Sequence, residues 1–419
     1  MTRSRSVERA AVRQVAARRG GWRFQELLGL AIAGAIAGGG LFLVHREKAA
    51  PLSEIEAGLA AKRLLNLNDL SAREDLVPAL APLFPAARER DEAAKEIYYL
   101  SGTLPNTGTI LRTHVLTMEQ FRLLKPLFVV RRPAAWERDF RVWVAIFFAA
   151  FLLVHVFWSL RGFGGDQLFL PAILLLSGIG LMLMVGLRDP VRDTLLFVDF
   201  AQGAAAGAVL MGALACLDYE RLTGKLSFVP LIASFAISAL LIAFGKGPGT
   251  SDAKVNLFGF QPVEIIRLLL VFFLAGYFAT RWDVLRHARE TRPALARYRI
   301  PPVEYTLPVL VSVALSLGFF FLQKDMGPAL VFTCLFLVLY GIASASVLVP
   351  LAGFALLIGG FVFGYLIGVP HTVGERVSMW LSPWDNLVHG GDQLAHSLWA
   401  YSSGGVMGTG IGRGDAAIV

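Results

Sequence analysis

Apolar residues in this chain come in long unbroken blocks. They do not show the alternation of a half-buried strand or the one-sided stripe of a surface helix. A block of about 18 or more apolar residues is long enough to cross a bilayer as a helix. Nine blocks of this kind, at 24–45, 142–160, 168–187, 200–217, 226–245, 262–280, 306–323, 328–344 and 347–369, predict an all-α polytopic membrane protein with about nine transmembrane helices. Met326 to Pro370 contains no Asp, Glu, Lys or Arg and has the length of two helices, with a turn expected at Ser344, Ala345 and Ser346.

The polar segment between the first two blocks reads differently. From Glu54 to Leu100 the spacing is helical, with Leu59, Leu64, Leu65, Leu70, Leu76 and Leu80 as expected core positions, and Pro78, Pro82 and Pro85 divide it into short pieces. A small helical packing module is therefore expected at 46–141. Its run Leu65-Asn66-Leu67-Asn68-Asp69-Leu70 weakly resembles a helix–hairpin–helix turn.

Composition agrees with the membrane reading. The chain is 55% hydrophobic and 17% charged with a mean hydropathy of +0.60, whereas soluble domains carry about 25% charged residues. The net charge of +8 invites a nucleic-acid reading, but the arginines cluster in the tail (Arg3 to Arg23) and in the loop after the sixth block (Arg281 to Arg299). Basic clusters of this kind mark cytoplasmic segments. Nine spans place both clusters on the cytoplasmic side, and 46–141 and everything after Val369 outside; no nucleic-acid partner is expected. The long basic lead of the first block predicts an uncleaved anchor. Cys216 and Cys334 both lie in apolar runs, which disfavours a structural disulfide or a zinc site.

Three boundary clusters could carry chemistry. Phe258-Gly259-Phe260-Gln261-Pro262-Val263-Glu264-Ile265-Ile266-Arg267 opens the sixth block, and Glu264 and Arg267 share a helix face. They read either as a neutralised pair between helices or as substrate contacts. Gln323-Lys324-Asp325-Met326-Gly327 lies between the seventh and eighth blocks, where Asp325 can cap the next helix or face a polar cavity. The outer tail holds Arg376, Pro383-Trp384-Asp385-Asn386, Gln393, Ser397 and a glycine run including Gly404 and Gly405. Glycines there permit close backbone approach, and Arg376 and Arg413 suit a pyrophosphate.

In this order, the clusters resemble the SEDS family, the relatives of FtsW, RodA and SpoVE. The family pattern is a Phe-Gln-Pro-x-Glu-x-x-Lys helix start, then Gln-x-Asp-x-Gly, then an Arg, a Pro, a Gln, a Ser and a glycine run. Here it reads Phe260-Gln261-Pro262-Val263-Glu264 with Arg267 in place of Lys, Gln323-Lys324-Asp325-Met326-Gly327, and Arg376 to Pro383 with Gln393, Ser397 and Gly404 to Gly412. The resemblance divides the chain into a basic cytoplasmic tail (1–23), a first anchor (24–45), the extracytoplasmic module (46–141), a second transmembrane helix with a short loop (142–167) and a family-like membrane domain (168–419), incomplete at its C-terminus, with an outer loop at 370–419.

The resemblance implies a multi-pass protein of the bacterial cytoplasmic membrane, with a cytoplasmic N-terminus and peptidoglycan glycosyltransferase activity on lipid II, an undecaprenyl pyrophosphate-linked substrate. It also implies a class B penicillin-binding protein as partner, in cell division or cell-shape maintenance. A base must take the proton of the attacking hydroxyl, and positive side chains or a divalent cation must offset charge on the leaving pyrophosphate. The family's proposed catalytic Asp lies in a segment beyond Val419, so Glu264, Arg267, Gln323, Asp325, Arg376, Gln393, Ser397, Gly404 and Gly405 are expected as substrate-site or supporting residues, with no metal ligands assigned. A flippase for a lipid-linked precursor and a non-catalytic scaffold of the wall-synthesis complex are the alternatives.

Overall fold

The computed structural model describes residues 23–217, 228–247, 253–257, 260–286, 303–344, 347–369, 371–386 and 391–414. The tail before Arg23, most of the basic loop after the sixth block and the expected turn at Ala345 and Ser346 lie outside the described residues. The fold is all-α. Among the described residues, seven helices are long and apolar enough to cross a membrane, and Val229–Phe244 and Thr306–Leu322 are shorter apolar helices. The chain divides into two compact units, Met1–Cys216 with Ser382–Val419, and Leu217–Leu381.

In the first unit, α1 (Phe24–Ala49) and α2 (Leu52–Ala60) lead into the polar segment. That segment contains β1 (Leu65–Asn66), α3 (Val77–Leu80), α4 (Ala87–Leu100), α5 (Met118–Leu124) and β2 (Phe128–Val129). Then come α6 (Pro133–Arg161), α7 (Phe169–Gly186) and α8 (Leu196–Leu214). The second transmembrane helix thus begins at Pro133, well before residue 142. Pro133 suits a first helical position, and the polar first turns are held by packing: Trp136 and Phe140 lie against the His45 ring at centroid distances of 5.1 and 4.6 Å. Hydropathy marks the part of a helix in hydrocarbon, not where its hydrogen bonding ends.

Small residues set the spacing of the membrane helices, because close backbone approach supplies the packing that lipid does not compete for. A Cβ on Gly178 of α7 would come within 2.5 Å of the Ala37 Cβ on α1. Gly212 of α8 leaves its carbonyl open to the Trp158 indole of α6, which donates to it at 3.0 Å. At one end of this group sits a buried polar cluster. Arg23 donates to Glu26 at 2.6 Å and to the carbonyls of Phe163, Gly165 and Asp166. The other Glu26 oxygen lies 2.7 Å from His155 Nδ1. Glu26 and His155 are shut from solvent, and the guanidinium also lies 5.5 Å from the Trp158 ring.

The polar segment has its own core, built from Leu67, Leu76, Leu80, Ile97, Ile110, Phe121 and Phe128 among others, with Leu65 and Leu70 packed against it. Leu59 and Leu64 depart from expectation and pack with the membrane-helix cluster, because α2 leaves α1 after a short turn and stays beside it. The Leu65–Leu70 run forms no helical hairpin. Leu65 and Asn66 pair in parallel with Phe128 and Val129, and the Asn68 amide donates to the carbonyls of Leu104 and Val130.

This module is sewn to the loop between α7 and α8. Arg131 donates to the carbonyls of Pro190 and Asp193, and Arg192 to those of Lys125 and Pro126. Backbone bonds join Val130 to Val191 and Thr107 to Arg192. Burial draws the Arg131 pKa down, against the charges of Asp139, Asp189 and Asp193.

The second unit comprises α9 (Val229–Phe244), α10 (Val263–Arg286), α11 (Val303–Leu322), α12 (Met326–Ser344), α13 (Leu348–Ile367) and α14 (His371–Leu381). Its core is aromatic, centred on Phe273, Tyr277, Phe278, Phe336 and Tyr340. Removing Glu26 would strand a buried guanidinium. Glu26→Ala is therefore expected to cost about 3–5 kcal/mol, read as a large drop in the melting temperature of the purified protein in detergent; an unchanged melt would contradict the role given to this cluster.

Candidate functional site

The second unit brings two of the sequence clusters together. Pro262 precedes α10, and the chain then places Glu264 and Arg267 one turn apart, so that the guanidinium donates to Glu264 Oε1 at 2.6 Å. Both side chains remain partly exposed, at 58% for Glu264 and 39% for Arg267, while Arg267 Nε is buried without a hydrogen-bond partner among the described residues. The chain reverses between α11 and α12 at Lys324, whose φ of 57° is left-handed. The amides of Lys324 and Asp325 bond back to the carbonyls of Phe321 and Phe320, the arrangement that closes a helix end.

That reversal sets Asp325 at the start of α12, where its carboxylate accepts the Gly327 backbone N–H, in the electrostatic field of both Arg267 and Glu264. The carboxylate thus caps the helix and lies in the field of the Glu264–Arg267 pair. Burial pushes the Asp325 carboxyl above the usual carboxylate range; Arg267 opposes this, Glu264 adds to it, and the Gly327 N–H opposes it. The cluster therefore holds two carboxylates and one guanidinium at a helix start.

Gln323 is fully buried. Its carbonyl accepts the Lys254 backbone N–H at 2.8 Å, its side-chain nitrogen lies 3.5 Å from the Ser238 carbonyl, and its side-chain oxygen has no partner among the described residues. It ties the α11–α12 reversal to α9 and to the segment before α10. Lys254 was absent from the sequence expectation, yet its ammonium caps the Ile242 carbonyl near the end of α9. Its one legible signal was a lysine shortly before the Phe-Gly-Phe-Gln-Pro run.

The remaining expected residues lie on other elements. Arg376 lies exposed on α14. Gln393, Ser397 and Gly404 belong to α15 (Gly391–Gly404) in the first unit, where the Ser397 hydroxyl donates to the Gln393 carbonyl of its own helix. Gly405, Gly408, Gly410 and Gly412 follow with positive φ. This run ends against α1: a Cβ on Gly412 would meet the Val44 Cα at 3.1 Å, and Arg413 pairs with Glu47 at 2.9 Å. Arg413 thus has a carboxylate partner on α1. Among the described residues no three His, Cys, Asp or Glu side chains converge as a metal-ligand set.

Taken with the helices, this cluster defines a polytopic membrane protein with a conjunction of charges at a helix boundary. The profile of the FtsW/RodA/SpoVE family, described as a cell cycle protein, matches residues 167–418, and the chain belongs to that family. The chain is 28% identical over 301 residues to the peptidoglycan glycosyltransferase RodA of Mycobacterium leprae, covering 67% of this chain and 61% of the relative. It is 27% identical over 264 residues to the RodA of Mycobacterium tuberculosis strain H37Rv, covering 60% and 55%. A probable peptidoglycan glycosyltransferase FtsW of Thioalkalivibrio sulfidiphilus is 30% identical over 253 residues, covering 58% of each. The chain thus spans somewhat over half the length of these relatives. No solved structure matches.

The raised Asp325 pKa has a signed consequence. An acid whose folded pKa exceeds its unfolded value favours folding at low pH, and that contribution is lost as pH rises through the folded value. Asp325→Asn keeps the cap acceptor and removes the buried charge. It should melt at or above the wild-type temperature at neutral pH, with the difference shrinking below the ordinary carboxylate range. A large loss of stability at neutral pH would show that the ionised carboxylate holds this corner together.

Proposed function

We propose that this chain acts as a peptidoglycan glycosyltransferase that polymerises lipid II at the outer face of the cytoplasmic membrane, in cell division or cell-shape maintenance. The observation that carries the reading is the family match from 167 to 418, within which Glu264, Arg267 and Asp325 meet at one helix boundary. Transfer of a sugar from a polyprenyl pyrophosphate needs positive charge where the leaving group develops negative charge. Arg267 is the guanidinium suited to that task, with Glu264 fixing its direction. A planar guanidinium grips phosphate oxygens in pairs, so Arg267→Lys is not a conservative change.

Asp325, with its pKa held up by burial, is suited to bonding sugar hydroxyls beside the guanidinium. The base for the attacking hydroxyl is not assigned to a residue of this chain, and no step is assigned to a metal. Orientation follows the arginine distribution: N-terminus in the cytoplasm and module outside, where a class B penicillin-binding protein is the expected partner.

Purified full-length gene product should polymerise lipid II. Glu264→Ala and Asp325→Ala should each lower the yield at least about tenfold, the scale of losing one electrostatic contact to a reacting centre, with the folded protein retained. Wild-type yield from both variants would remove these residues from the site, and lipid II translocation without polymer would favour a flippase. A cysteine placed at Ser101, on the module, should react with a membrane-impermeant maleimide in intact spheroplasts; protection until lysis would reverse the orientation.

A further inference from the structure

The seam between the module and the α7–α8 loop holds a half-open cavity of about 340 Å³ that the glycosyltransferase reading does not use. Its walls include Thr107, Phe121 and Lys125 from the module and Arg188, Asp193 and Thr194 from the loop. Thr107 is fully buried, yet its hydroxyl has no hydrogen-bond partner among the described residues. A buried hydroxyl without a partner costs about 1–3 kcal/mol, which a ligand in the cavity would recover. Arg188 is exposed and has no ion-pair partner among the described residues. Lys125 lies 3.6 Å from Asp193. Two cations against one carboxylate leave the cavity with one uncompensated positive charge.

The position narrows the ligand further. Arg188 follows closely on the end of α7 at Gly186, and Leu196, the first residue of α8, also lines the cavity. The cavity therefore opens at the level where two spans leave the bilayer. About one turn below the cavity on α7, Leu183 is 59% exposed and offers an apolar track for acyl chains. A single negative charge carried at this depth, with hydroxyls for Asp193 and Thr194, is the chemistry of a phosphodiester-linked glycerol headgroup.

We propose that this seam is a binding site for an anionic phospholipid of the phosphoglycerol class. Arg188, Lys125 and the Thr107 hydroxyl take the phosphate, and Asp193 and Thr194 take the glycerol hydroxyls. The lipid then acts as a wedge that fixes the module to the first loop of the family domain. A zwitterionic choline headgroup carries no net charge to match and no hydroxyl to donate.

Native mass spectrometry of the full protein, released from detergent containing phosphatidylglycerol or phosphatidylcholine, tests the assignment. Wild type should retain phosphatidylglycerol at least about tenfold better, a preference of about 1.4 kcal/mol. The Lys125→Gln/Arg188→Gln double variant should lose that preference, and Thr107→Val should weaken it severalfold; in lipid-free detergent the double variant should keep the wild-type circular dichroism and melt, and Thr107→Val should melt at or above wild type. These exposed or isosteric changes are compatible with folding, and the lipid-free melt verifies it. Equal retention of the two lipids by wild type would overturn the proposal, as would undiminished preference in the double variant. Displacement of phosphatidylglycerol by soluble glycerol phosphate at comparable concentration would overturn the lipid as the source of the phosphate.

Discussion

A polar group left unpaired in hydrocarbon costs several kcal/mol, and this constraint organises the whole chain. It makes every spanning segment a helix, because only a helix satisfies its own backbone within one segment. It also drives charge to the ends of spans, where partners or water are available. Arg23, Glu26 and His155 meet most of it by mutual pairing and by taking three loop carbonyls at the start of the first membrane helix group, with Arg23 Nε and His155 Nε2 left without partners among the described residues. Glu264 and Arg267 pair with each other and stay partly exposed, with Asp325 in their field.

The same constraint explains the module. A loop of nine residues between α7 and α8 would leave many backbone groups to water alone. Here Arg131 and Arg192 cross in opposite directions, each donating to carbonyls on the other side of the seam. The guanidinium is suited to this because it presents several donors in a fixed plane. The module is thereby fixed to the first loop of the family domain, although its sequence lies outside the region the family profile matches.

Local sequence made the spans legible because an apolar run is a signal within one segment, readable without knowing its neighbours. It made Glu264 and Arg267 legible as a pair for the same reason, since three residues apart on a helix means one face. Asp325 could be read as a helix cap, but not as a group in the field of Glu264 and Arg267, because that depends on how α10 meets the α11–α12 reversal. Gln323 reads from sequence as a substrate-site or supporting residue; its burial and its ties to α9 and to the segment at Lys254 are set by packing. The glycine run reads as a place of close backbone approach, and only packing sets Gly412 against the backbone of α1.

The sequence alone therefore determined the membrane class, the helical content, the family pattern and the identity of the charged residues at span boundaries. All of these follow from local composition and from spacing along a single helix. Tertiary structure decided which of those charges lie in one another's field, how far the second membrane helix extends before its apolar block, that Leu59 and Leu64 belong with the membrane helices, and that a half-open cavity lies between the module and the α7–α8 loop. Each of these is a contact between segments far apart in the chain, and its free energy depends on both surfaces at once.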